Sequence, residues 1–152
     1  MIKGRKPIKR SPLRRVSKKT PAKIKKLLWP LLSRMVKERD GNKCVSCGAT
    51  GLSGKNWHAG HLFSAGGHSA TRWDPLNLAS QCFRCNISLR GNAAEFSAWF
   101  IRTHGLALFS KLAAASKPTK KWTIPELLEL VGAAGCGLAN YGRFYRERNP
   151  LT

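Results

Sequence analysis

Cys44-Val-Ser-Cys47 and Cys82-Phe-Arg-Cys85 place four of the five cysteines in two C-x2-C pairs. Thiolates at that spacing can close a tetrahedral zinc site, and two pairs separated by a long insert are a usual way to do it. Four sulfurs leave no open position for water, so the expected Zn2+ holds the fold together and does no chemistry. Cysteines that served only as small buried hydrophobes would not need to recur in this way. Cys136 has no partner and lies in a Gly/Ala-rich stretch, where packing is its simplest role.

The insert holds three of the four histidines, His58, His61 and His68; His104 lies beyond it. Phosphodiester hydrolysis with a metal needs a base for water, a divalent cation to take up charge, and ligands for that cation. Imidazole is the natural base near neutral pH. Any one histidine is more often structural than catalytic. Three so close together, flanked by zinc knuckles in a basic chain, point to chemistry.

C-V-S-C-G, then W-H-A-G-H, then R-W-D-P-L-N-L-A-S-Q-C-F-R-C-N resemble the NinG (Rap) family of lambdoid phages, over roughly Arg34 to Asn92. The later W-T-I-x-E resembles the start of that family's C-terminal helix. The knuckles alone are unspecific, whereas their order with A-G-H and N-L-x-x-Q-C is specific. The family contains recombination endonucleases that cut branched DNA such as D-loops and Holliday junctions. More broadly, the segment is similar to zinc-bearing HNH nucleases with a ββα-metal core.

The resemblance implies roles residue by residue. His61 matches the general base, Asn77 the asparagine that pins the loop and orients it, and Asn86 the third motif residue, which usually binds the metal. It also implies a catalytic Mg2+ or Mn2+ beside the structural zinc. Many HNH enzymes place an Asp or His just before the base, but here that residue is Gly60. His58 is the candidate replacement, and Asp74, the only carboxylate between the cysteine pairs, is a second one. Leu89 stands where a basic residue is often found, with Arg90 one step on. Symmetric cleavage of a four-way junction needs two cutting sites, so the chemistry implies a homodimer.

The elements that must position these residues follow from periodicity. Leu28, Leu31, Leu32, Met35 and Val36 recur at helical steps over residues 27–39, with Pro30 starting or kinking the helix and Asp40-Gly41-Asn42 ending it. Residues 56–63 read as a short strand, and residues 64–68 and 73–77 as loops. Asn92 to Glu95 is a possible capping box before Phe96, Trp99 and Phe100, and Gly105 stops that helix. A short helix is expected over residues 106–115. Another opens at Thr123-Ile-Pro-Glu126 and breaks near Gly135. Trp57 and Trp73 are expected in the core. The expected fold class is α+β: a mostly helical chain around what the resemblance implies is a small zinc-stapled, HNH-like ββα-metal core.

Twenty-eight Lys+Arg against seven Asp+Glu give a formal charge of +21, which favours nucleic acid as partner. Residues 1–26 hold twelve of those cations and no acid, so they are expected to form a disordered, phosphate-binding arm, with Lys18, Lys19, Lys25 and Lys26 among its contacts. Residues 27–152 are expected to form one domain. Arg72, Arg84 and Arg90 flank the motif residues and are further candidate phosphate contacts. No apolar run suits a membrane span or a signal peptide, and paired cysteines in odd total number suit a reducing cytosol, that of a bacterial host for a phage protein. The competing class is a zinc-stapled nucleic-acid-binding module without catalysis, which accounts for charge and cysteines but not for His61, Asn77 and Asn86 in HNH order.

Overall fold

The structure, a computed structural model, describes residues 20–151. Lys18 and Lys19 lie outside the described residues. Helix α1 spans Pro21–Asp40 and buries Ile24, Leu28, Leu32, Met35 and Val36 along one stripe. It starts earlier than the periodicity suggested, because Pro21 occupies the first turn, where a missing N–H costs nothing. Lys25 and Lys26 are therefore helical, not part of an arm that extends to residue 26. Pro30 lies inside the helix and does not start it; its ring takes away the N–H that would bond the Lys26 carbonyl.

After the first cysteine pair and a single 3-10 turn at Gly54–Asn56, strand β1 covers His58–His61, shorter than residues 56–63. A second 3-10 turn, Pro75–Asn77, leads into β2, Leu78–Gln81. The strands pair antiparallel, with His58 opposite Gln81, Gly60 opposite Ala79 and His61 opposite Leu78. Alternation then puts Ala59, His61, Leu78 and Ser80 on one face, and His58, Gly60, Ala79 and Gln81 on the other. Every residue of β2 is buried, because both faces are covered.

Over the first face lies the main core: the α1 stripe, Ala59, Trp73, Leu78, and residues of α4 (Ile124–Ala134) and α5 (Leu138–Arg148). A second cluster groups Leu62 and Ala79 with Phe96 and Phe100 of α2 (Ala93–His104) and Leu112 of α3 (Leu106–Ser116). Between β2 and α2 the chain makes one wide π-helical turn, Arg84–Ser88, where the ββα reading expects its helical element. Thr123 and Glu126 form the expected capping box, and the chain breaks at Gly135. Asn92 forms no such box: its backbone is left-handed and its side chain donates to Cys85 Sγ at 3.5 Å.

The early helix start makes truncation informative. Deleting residues 1–19 removes nine Lys or Arg and none of the core residues described above. Thermal melting should show an unchanged Tm, and the slope of log affinity against log salt for DNA should fall by roughly 0.9 for each phosphate that the shortened chain no longer neutralises. Deleting residues 1–26 also removes Ile24, which is fully buried, and should cost about 2–4 kcal/mol of stability by denaturant titration.

Candidate functional site

Two tight turns bring the cysteines together. In the first, Cys44 N–H donates to the Ala49 carbonyl and Gly48 N–H to the Cys44 carbonyl, a return that Gly48 makes at φ +77°. In the second, Cys85 N–H points at Cys82 Sγ from 3.4 Å. All four sulfurs lie within 4.8 Å of one another, unbridged by disulfides, and Cys47 Sγ is 3.8 Å from Cys82 Sγ. Sulfurs about 2.3 Å from one central ion would be separated by about 3.8 Å along a tetrahedron's edge, so the cluster fits a structural zinc. Burial, with the other sulfurs adding to it, pushes the Cys85 thiol up to about 12. Were all four sulfurs to ionise so close together, a cation would be needed to offset their repulsion.

His61 closes β1. Its Nε2 lies 3.0 Å from the Arg72 carbonyl oxygen, and its ring stacks on Trp29 with centroids 5.2 Å apart. A carbonyl can only accept, so Nε2 carries the proton and Nδ1 keeps the lone pair. Burial holds the imidazole down to about 4, with the Arg72 charge adding slightly and the carbonyl bond opposing. The ring is therefore neutral at pH 7, as a base must be.

Asn77, fully buried, holds the loop in place. Its Oδ1 accepts from Phe63 N–H at 2.8 Å, while Nδ2 donates to the carbonyls of Phe63 at 2.9 Å and Thr71 at 3.1 Å. Phe63 is two residues beyond His61, and Thr71 immediately precedes the Arg72 carbonyl. One carboxamide thus ties both ends of the histidine's support. The loop is also held from outside: Tyr145 Oη donates to Ala70 O, Tyr141 Oη to Trp73 O, and Trp122 Nε1 to Ser69 O. Nothing in the spacing of these three residues announced that role.

The π turn brings up the third motif residue. An added Cβ on Gly60 would overlap Gln81 Oε1 and stand 3.0 Å from Asn86 Oδ1, so both carboxamide oxygens reach the place that a side chain at position 60 would fill. Arg90, Gly91 and Asn92 are all left-handed, at φ 51°, 97° and 46°. That strained run turns the Gly91 carbonyl toward Gln81 Nε2, 2.7 Å away. His58 shares this sheet face, opposite Gln81, with its Nε2 bonded to the Lys55 carbonyl at 2.8 Å. His68 bonds the Ser116 carbonyl and His104 packs on Phe100.

Asp74 is a correction. Fully buried, it pairs with Arg146 and accepts from Leu76 N–H at 2.9 Å, which makes it a structural anchor for the 3-10 turn rather than a metal ligand. Trp73 is in the core as expected. Trp57 packs against the cysteine cluster, donates to Ser80 Oγ and carries Lys37 over its ring. Lys25, Lys26 and Arg72 line one groove with Trp29, the histidine's stacking partner. Arg84 and Arg90 are exposed on the π turn and just after it.

The family described as "Bacteriophage Lambda NinG protein" matches residues 4–138. Protein ninG of Salmonella phage P22 is 29% identical over 96 residues, which are 62% of this chain and 46% of the relative. Protein ninG of Escherichia phage lambda and that of Escherichia phage 933W are each 27% identical over the same coverage. The chain therefore spans about half the length of the curated relatives that it matches, 46% of each. No solved structure matches.

Two outcomes follow from this geometry. A strong chelator should strip the sulfur cluster and abolish the cooperative melt, because metal binding and folding of such a site are one equilibrium; an unchanged melt in metal-free protein would refute a zinc site. Asn77→Ala leaves Phe63 and Thr71 groups buried and unpaired. It should cost roughly 2–4 kcal/mol in denaturant titration.

Proposed function

The chain belongs to the NinG family, and on that premise we propose that it is a metal-dependent endonuclease acting on branched DNA such as recombination intermediates. One observation carries this reading: a neutral histidine whose Nε2–H is spent on a backbone carbonyl, leaving Nδ1 as the free lone pair. Asn77 supports the same loop through the Thr71 carbonyl, one peptide before that of Arg72.

His61 Nδ1 takes the proton of the attacking water, and Asn77 keeps the ring at its angle. Asn86 would hold Mg2+ or Mn2+ through Oδ1, which stands 3.0 Å from the place where a side chain on residue 60 would begin. When bound, that cation neutralises charge on the phosphate and the leaving oxygen. Lys25, Lys26 and Arg72 carry phosphates along the groove beside Trp29, and Arg84 and Arg90 do so from the π turn. Such contacts place the DNA without reading its sequence. The zinc keeps the π turn in register with β2. Two copies acting together would cut a four-way junction symmetrically.

Four-way junction DNA incubated with Mg2+ or Mn2+ tests the proposal. Wild type should cut, and His61→Ala should lower the rate by about two to four orders of magnitude with DNA affinity retained. Binding without cleavage in either protein would identify a non-catalytic zinc module instead. The pH profile is a second check. The folded-state value of His61 lies below the usual 6.5, so the acid limb of kcat/KM should inflect near 4. By linkage, the histidine's contribution to stability is present above pH 6.5 and is lost as pH falls toward 4, and His61→Ala should remove that portion of the acid destabilisation.

A further inference from the structure

Gln81 is fully buried, and both protons of its amide nitrogen are committed: Nε2 donates to Ser46 Oγ and to the Gly91 carbonyl, each at 2.7 Å. The Gly91 carbonyl can only accept, so it fixes which end of the amide is nitrogen. Oε1 is left facing Gly60 with no hydrogen-bond partner. A buried amide oxygen without a partner is costly, and here the chain has built the cost in. The first cysteine turn supplies Ser46, and a strained left-handed run supplies Gly91. Oε1 itself takes up the place where a side chain on residue 60 would begin, and Asn86 Oδ1 stands 3.0 Å from that place.

We propose that Gln81 Oε1 is a divalent-cation ligand that takes the place of the absent side chain at position 60, and that with Asn86 Oδ1 it forms a site built from neutral amide oxygens. This rests on the nuclease reading above. Hard cations such as Mg2+ take oxygen ligands, keep several waters and draw on substrate phosphate as well as the protein, so the protein's own share of ligands is small. Neither ligand carries charge. Affinity in the free protein is accordingly weak, and the phosphate of bound DNA brings the anionic oxygen that the protein omits. The cation is thereby recruited together with the substrate.

The test uses the full zinc-loaded chain labelled with 15N, titrated with Mn2+ and followed through its side-chain amide signals. Paramagnetic broadening should strike Gln81 and Asn86 first, and Asn86→Ala should abolish that selectivity. Asn86→Asp, which adds a negative charge to the same space, should lower the Mn2+ needed by about tenfold or more. Broadening that starts at His58, or that touches Gln81 no more than distant amides, overturns the proposal. Junction cleavage by the same samples separates the two readings. Cleavage that depends on His61 without selective broadening at Gln81 leaves the nuclease standing and removes this cation site. Selective broadening without cleavage establishes the cation site and removes the nuclease.

Discussion

The carbonyl of Arg72 can accept a hydrogen bond and never donate one, and the candidate chemistry depends on that asymmetry. It sets the tautomer of His61, and so which ring nitrogen is left as a base. A loop carbonyl is a precise support only if the loop is immobile. Asn77 holds it from the sheet side, and Tyr141, Tyr145 and Trp122 hold it from the C-terminal side. The C-terminal helices, remote from the motif in sequence, thus belong to the positioning apparatus.

The sulfur cluster plays the equivalent part on the opposite sheet face. It joins the turn that holds Cys44 and Cys47 to the π turn after β2. Ser46 and Gly91 lie on or next to those segments, and both bond Gln81. Zinc in the cluster would therefore do more than add stability, because the same joint orients Gln81 and brings Asn86 to Gly60. The candidate base and the two amide oxygens come from adjacent strands and the turn that follows them, but are braced by separate systems.

Charge is distributed to match. Lys25, Lys26 and Arg72 share a groove beside the histidine's stacking partner, while Asp40 and Asp74 are engaged inward. Asp40 accepts from Ser80 N–H at 2.8 Å and binds Arg39, whose guanidinium also donates to the carbonyls of Pro75 and Leu78. Asp74 pairs with Arg146. The groove itself is lined by three cations and no carboxylate, a charge that would suit a phosphate partner.

The spacing of C-x2-C pairs marked the sulfur cluster because metal ligation demands local geometry that a short motif can encode, and the order of His61, Asn77 and Asn86 marked the candidate base and its brace. Helical stripes such as Leu28, Leu32 and Val36 were legible for a similar reason, since periodicity is local. Other features were not local. The start of α1 at Pro21 depended on Ile24 finding a core that α4 and α5 complete. Asp74 looked like a ligand by composition and became an anchor because Arg146, far along the chain, reaches it. Gln81 was visible only as the residue before Cys82. Its buried, unpartnered oxygen exists because Ser46 and Gly91 claim its nitrogen, and those bonds form only when both turns close around the sheet. Which groups can do chemistry was written in the chain itself, since that is a property of side chains and their spacing. Which of them face one another, and in what protonation state, was decided on folding, since burial and hydrogen-bond partners come from distant segments.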